Sequence, residues 1–359
     1  MITHKINKWF FPNDNKIEHF KALDGLRGIA VLMVLLSHSS NANVFFHELL
    51  NFQKVGKVGV YLFFVLSAYL LDRQIAQAFL SGKASKLYWK NYALRRFLRI
   101  YPLFCISLIL HGILNLIGFK TVIDNSLDIP LHMFLLKGES IFWSIPVEFK
   151  YYLISPIIMW FCQRFLNWDN IKLALFFLSL IIASIGIELL FKLPLVSTLR
   201  YFPIFLVGTT ISIYELNIKN EKSKRVKPIT LNLLGITSAL IILITVPFYF
   251  ESIFGINVDF HSSIFFFPYA ILWGIILLTA KYGRGLIKKI LEFKFLRFIG
   301  TISFSMYLFH KLFLKLVKVV DINPNLQIYI FFILTIIFSS ISYLMIEYPL
   351  SKIRFTRIK

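Results

Sequence analysis

The chain has 359 residues, of which 57% are hydrophobic and only 16% charged, and its mean hydropathy is +0.72. Soluble chains run about 45–50% apolar and about 25% charged, so this composition excludes a soluble enzyme and a disordered protein, and apolar stretches recurring from end to end exclude a single-anchor receptor. The 39 Lys and Arg against 18 Asp and Glu leave a net charge of +21, which in a soluble chain points to nucleic acid and here needs a topological explanation first.

Apolar segments occupy residues 25–40, 58–72, 100–119, 141–161, 171–190, 199–216, 229–249, 263–280, 299–320 and 327–347. About 20 such residues cross ~30 Å of hydrocarbon. The segments are apolar all round, without the ten-residue alternation of a transmembrane β-barrel. The expected fold is therefore all-α, a polytopic membrane bundle of about ten transmembrane helices. Asp24 and Arg27 at the head of the first segment argue against a cleavable signal. The longest loops are expected at 73–99 inside and 120–140 outside. Cys105 and Cys162 have no metal-like spacing, and no metal is expected.

With the N-terminus placed in the cytoplasm, 28 basic residues fall on the inner side and 6 on the outer, with five inside helices. That is the positive-inside bias, with both termini cytoplasmic. Most of the +21 is then a topology signal, the partner is the bilayer, and no nucleic acid is expected. The chain divides into a cytoplasmic segment 1–17, a membrane-embedded domain 18–350 and a basic cytoplasmic tail 351–359. Oligomeric state has no sequence signal here.

An ionisable side chain inside a bilayer is costly and marks a functional hypothesis. Arg27 and His38 lie eleven residues apart in the first helix, so they share a face about 16 Å apart along the axis, Arg27 at the inner mouth and His38 near the outer end. Asp24 is placed to pair with Arg27. Glu148, in WSIPVEFKYYLISP, lies about seven residues into the fourth helix, at a depth similar to His38. A carboxylate that orients an imidazole makes a general base, so His38 and Glu148 are the catalytic candidates. Ser144 shares the polar stripe of Glu148. In the ninth segment, Ser303, Ser305, Tyr307 and His310 precede Lys311, Lys315 and Lys318. Snorkelling explains Lys318 better than Lys311, and the alternative is a basic groove for an anionic substrate. Arg95, Arg96 and Arg99 stand just before Tyr101-Pro102. Arginine forks suit phosphate, whereas a basic cluster at a helix end also serves topology or anionic lipid.

Taken together, these segments resemble the acyltransferase 3 family of integral membrane acyltransferases over about residues 18–350. LDGLRGIAVLMVLLSH (Leu23 to His38) resembles its first-helix signature and GVYLFFVLSAYLL (Gly59 to Leu71) its second-helix motif. RRFLRIYPL (Arg95 to Leu103) resembles the inner-face arginine motif, FWSIPVEF the Trp-Ser-x-x-x-Glu segment, ISFSMYLFH the penultimate-helix motif, and Glu347-Tyr348-Pro349 the usual ending. Departures are Ala68, where Gly is usual, and Phe149-Lys150, where a second acidic residue is common. A fused C-terminal hydrolase-like domain, carried by some relatives, is not expected.

The resemblance implies an acyl-CoA donor, usually acetyl-CoA, taken from the cytoplasm. The implied acceptor is a hydroxyl of an envelope glycan or lipid-linked saccharide, reached from the outer side of the cell membrane. Arg27, with Arg95, Arg96 or Arg99, would hold the coenzyme phosphates, and His38 oriented by Glu148 would deprotonate the hydroxyl. Ser144, Tyr307, His310 or Lys311 would contact substrate or the oxyanion. A covalent relay on His38, Ser67 or Ser305 is the competing version of this chemistry. The rival of another class is a polysaccharide or small-molecule transporter or flippase, although the inverted repeats common in transporters are not visible in the chain.

Overall fold

The computed structural model describes residues 9–11, 20–218, 226–260, 262–320 and 322–355. Among these residues the regular structure is entirely helical: α1 (Lys21–Asn41), α2 (Gly56–Leu80), α3 (Lys86–Leu116), α4 (Ser144–Leu166), α5 (Asn170–Phe191), α6 (Phe202–Ile218), α7 (Pro228–Ile244), α8 (Pro247–Phe254), α9 (Phe266–Tyr282), α10 (Leu286–Leu291), α11 (Lys294–Thr301), α12 (Ser303–Val319) and α13 (Pro324–Ser342), with short helical turns between some of them. Every apolar segment of the sequence falls on helical structure, 229–249 and 299–320 each on a pair of helices. Among the described residues six helices are long and apolar enough to cross a membrane: α1, α2, α3, α5, α9 with the turn before it, and α13 with its continuation to Leu350. A seventh arises if α7 and α8, bent by 84° where Pro247 follows Val246, form one broken span. The rest have identifiable reasons for falling short. Helices α6 and α12 have 17 residues each, about 25 Å of rise, and α4 carries Glu148, Lys150 and Arg164.

Two boundaries differ from expectation, and both matter to the site. Helix α2 continues through Asp72 and Arg73 to Leu80, and α3 begins at Lys86, so the long inner loop expected at 73–99 reduces to a few residues around Gly82. Ser85 starts α3 by accepting the Tyr88 amide at 3.3 Å, an N-cap. Arg95, Arg96 and Arg99 consequently ride on α3 and do not precede it. The 299–320 segment also divides, at Ile302, into α11 and α12.

Helix α2 is central: 78% of its spanning window is buried, against 28% for the peripheral α5. Glycines permit the close approaches, as small residues do between membrane helices. A Cβ at Gly208 of α6 would stand 2.3 Å from the Val65 carbonyl oxygen of α2, and one at Gly300 of α11 would stand 1.8 Å from the Asp24 carbonyl oxygen of α1. Two carboxylates buried against or within α2 are paired, which offsets the cost of their burial. Asp72 accepts hydrogen bonds from Ser155, Tyr151 (2.6 Å) and Thr209 (2.5 Å). Glu215 on α6 accepts from Arg73 (2.6 Å), Lys281 (2.5 Å) and Tyr69 (2.9 Å). An apolar α2 end at residue 72 was the wrong expectation because these partners come from α4, α6 and α9, which no local pattern announces.

Candidate active site

Helices α1, α3, α11, α12 and the stretch after α13 enclose a cavity of about 660 Å³, within the ~300–1,000 Å³ of typical small-molecule sites. Its lining includes six cations, Arg27, Arg95, Arg96, Arg99, Lys352 and Arg354, against two carboxylates, Asp24 and Glu347. All four arginines singled out in the sequence therefore meet in one space. Arg27 pairs with Asp24 at 3.6 Å, the i,i+3 pairing expected, and Arg297 approaches the same carboxylate at 3.9 Å. Arg96 donates to Gln74 at 3.0 Å and lies 5.5 Å from the centre of the Tyr152 ring, so its plane is already oriented. Glu347 sits at the end of a π-helical turn, Tyr343–Glu347, a geometry frequent at functional sites. It accepts the Ser305 hydroxyl at 2.5 Å.

Arg27, Arg99, Ser303 and Phe304 also line a narrower crevice of about 60 Å³, together with Ser67, Ser144, Glu148 and Tyr307. The crevice thus extends the cavity inward between α1, α2, α4 and α12. Glu148 accepts hydrogen bonds from Ser67 on α2 and from Tyr152, one turn along its own helix, at 2.5 Å. Among the described residues no hydrogen bond or ion pair joins Glu148 to His38. Ser144 donates to the Tyr307 hydroxyl at 2.8 Å, and Tyr307 donates to the Ile141 carbonyl at 2.6 Å, so Tyr307 is pinned between α12 and the turn that opens α4.

Beyond Tyr307 stands His310, one turn later on α12. It is fully buried, and its Nδ1 donates to the Tyr307 carbonyl at 2.8 Å and approaches the Met306 carbonyl at 3.2 Å. Because a neutral imidazole has one donor and one acceptor, this leaves Nε2 as a lone pair, and Nε2 has no hydrogen-bond partner. The His38 ring stacks on it with centroids 5.2 Å apart and planes inclined by 30°. His38 keeps some surface exposed, while its Nδ1 is buried and unpartnered. The structure therefore brings His38 to His310, and Glu148 to Ser67 and Tyr152, with the Ser144–Tyr307 pair between the two groups. Lys311 is half-buried and makes no hydrogen bond or ion pair among the described residues. Lys150 lies apart, donating to the Val196 carbonyl at 3.3 Å. No group of three or more His, Cys, Asp or Glu among the described residues is placed to hold a metal ion.

A membrane-helix bundle in which a cationic cavity leads to hydroxyls, a carboxylate and paired imidazoles brings together groups able to hold an anion and groups able to take a proton. Residues 20–346 match the acyltransferase 3 family, an acyltransferase domain, and the chain belongs to that family. Among similar curated proteins is the O-acetyltransferase OatA of Staphylococcus aureus (strain NCTC 8325 / PS 47), 26% identical over 382 residues, covering 97% of this chain and 59% of the relative. Another is a protein of Staphylococcus aureus (strain N315) whose name marks its O-acetyltransferase activity as provisional, 26% identical over 378 residues, covering 95% of this chain and 59% of the relative. The chain thus spans 59% of the length of these relatives. No solved structure matches it.

Proposed function

We propose that the protein is a cell-membrane O-acetyltransferase of about ten spans, with both termini cytoplasmic. In this reading it moves acetyl from acetyl-CoA to a hydroxyl of an envelope glycan or lipid-linked saccharide that arrives from the outer side. The observation carrying the reading is one path: a cavity lined by Arg27, Arg95, Arg96 and Arg99 continues into the crevice of Ser67, Ser144, Glu148 and Tyr307, and the stacked His38 and His310 lie beyond. The guanidinium groups hold the donor's phosphates with charge-assisted bonds. The ~16 Å between Arg27 and His38 along α1 suits an extended pantetheine arm, so the thioester advances without the coenzyme crossing the membrane.

His38 then takes the hydroxyl proton as the sugar oxygen attacks the thioester carbon, and the carbon–sulfur bond breaks with its electron pair on sulfur. Base help of this kind contributes about 10²–10⁴ in rate. Glu148 supplies negative charge across the Ser144–Tyr307 pair to favour the imidazolium. The Ser144 or Tyr307 hydroxyl turns towards the developing oxyanion, normally the larger energetic effect. Neutral His310 offers a lone pair there, not a donor, which favours the hydroxyls for that role.

A second reading has one observation in its favour. Ser67 donates to Glu148 within the crevice, as a serine about to carry the acyl group in a covalent relay must donate to a base. The test for both is labelled acetyl-CoA given to membranes carrying wild type, His38→Ala, Glu148→Gln or Ser67→Ala at equal expression. Direct transfer predicts loss with His38→Ala and no labelled protein when acceptor is withheld. The relay predicts labelled protein that Ser67→Ala abolishes. Glycan movement without any acyl-CoA requirement would support the transporter instead.

A further inference from the structure

A second cavity lies on the other side of α1, apart from the cationic one. It has about 280 Å³, and every residue lining it is apolar. Leu26, Ile29, Met33 and Leu36 supply the α1 wall, the face turned away from Arg27 and His38, and they extend it about 15 Å along the helix axis. Helix α9 contributes Trp273, whose indole N–H donates to the Val58 carbonyl at 2.9 Å, so the lining side chains offer water no free hydrogen-bonding group. Ala239 and Leu243 of α7 line the cavity and are exposed. The cavity is therefore a cleft, open sideways to the hydrocarbon around the bundle. An apolar space without polar partners stays dry, and its length suits an acyl chain.

The end of the cleft near Leu26 is closed by α10, whose Ile287, Ile290 and Leu291 line it. Leu291 packs so closely on α1 that a Cβ at Gly25 would stand 1.9 Å from its carbonyl oxygen. Around these residues the segment 284–295, RGLIKKILEFKF, exposes Leu286, Ile290, Phe293 and Phe295 and carries Arg284, Lys288, Lys289 and Lys294 against Glu292 alone. Among the described residues none of these four cations forms an ion pair or a side-chain hydrogen bond, and Lys288 is half-buried. Exposed apolar groups interleaved with unpaired cations mark a segment that lies in the headgroup layer, here at the end that the proposed topology places in the cytoplasm.

We propose that this cleft binds one anionic phospholipid of the inner leaflet, with its chain between α1 and α7 and its phosphate against Lys288 and Lys289. The site is separate from the acyl-transfer path and does not depend on that reading. The lysines, not the cleft, set the choice of lipid. A chain that leaves the bilayer for the cleft gains no hydrophobic energy, because lipid tails are as apolar as leucine. What distinguishes one lipid from another is the charge of its headgroup. Each basic residue near an anionic surface is worth about a fivefold preference, so two lysines favour an anionic over a zwitterionic lipid by roughly 10–30-fold.

The test uses the whole protein in phosphatidylcholine vesicles that contain a small fraction of phosphatidylglycerol brominated along its chains, which quenches tryptophan at close range. Matched vesicles carry the bromine on phosphatidylcholine instead. The signal is the part of the quenching that Trp273→Phe removes, since only that part reports on the cleft. The expected result is Trp273 quenching at a roughly 10–30-fold lower mole fraction of the anionic lipid than of the zwitterionic one. Lys288→Gln combined with Lys289→Gln, at the surface, should bring the two curves together while quenching persists. Ala239→Phe, which fills the cleft from its open side, should abolish Trp273 quenching by both lipids. Absence of Trp273 quenching in wild type, equal quenching by the two lipids, or an anionic preference that survives loss of both lysines would overturn the proposal. So would Trp273 quenching unchanged by Ala239→Phe, which would place the chain outside the cleft.

Discussion

The cationic cavity and the stacked pair His38 and His310 occupy opposite ends of one path and follow opposite electrostatic designs. On the cavity side the groups are arginines, permanently charged, open to solvent and partly neutralised by Asp24 and Glu347. Beyond Tyr307 the groups are the imidazoles of His38, partly exposed, and His310, fully buried, each with a ring nitrogen that has no hydrogen-bond partner. A fixed charge suits a ligand that must be held whatever the pH, whereas an imidazole suits a proton that must be taken and given up. The Ser144–Tyr307 pair divides the two regions, and neither region alone has both a place for an anion and a base.

Substitutions at the two ends should therefore fail differently. The largest effect belongs to His38→Ala: kcat for acyl transfer falls about 10²–10⁴-fold with the donor KM little changed, read from initial rates over a range of acetyl-CoA. Arg99→Ala should show the reverse split. Loss of a charge-assisted bond, worth about 1.5–3 kcal/mol, raises the donor KM roughly 10–100-fold with a smaller change in kcat. Tyr307→Phe removes the acceptor of the Ser144 bond and the donor to Ile141. Stranding these partners costs about 1–3 kcal/mol, so transfer should fall about tenfold or more at unchanged donor KM. The control pair tests packing. Gly208→Ala forces a methyl to 2.3 Å from the Val65 carbonyl oxygen and should destabilise by about 1–3 kcal/mol, whereas Gly186→Ala meets nothing within 4 Å and should stay within about 0.5 kcal/mol, both measured by thermal unfolding in detergent.

The same contrast explains what could be read from the sequence. Arg27 and His38 were legible because one helix carries both and its period fixes their shared face. Arg95, Arg96 and Arg99 were legible as a cluster, although their place on α3, inside a helix, was not. Polar residues at 73–99 resemble a loop until Asp72 and Arg73 meet Tyr151, Thr209 and Glu215 from other helices. Depth matching drew Glu148 towards His38, but depth says nothing about azimuth. The ring that meets His38 comes from α12, and Glu148 turns instead to Ser67 and Tyr152.

Acyl transfer at His38 is tested most directly by following radiolabelled acetyl from acetyl-CoA into the membrane glycan fraction, with wild type and His38→Ala at equal membrane levels. Label in wild type and a loss of about 10²–10⁴-fold in the variant is the predicted result. Equal labelling by the two proteins would contradict it.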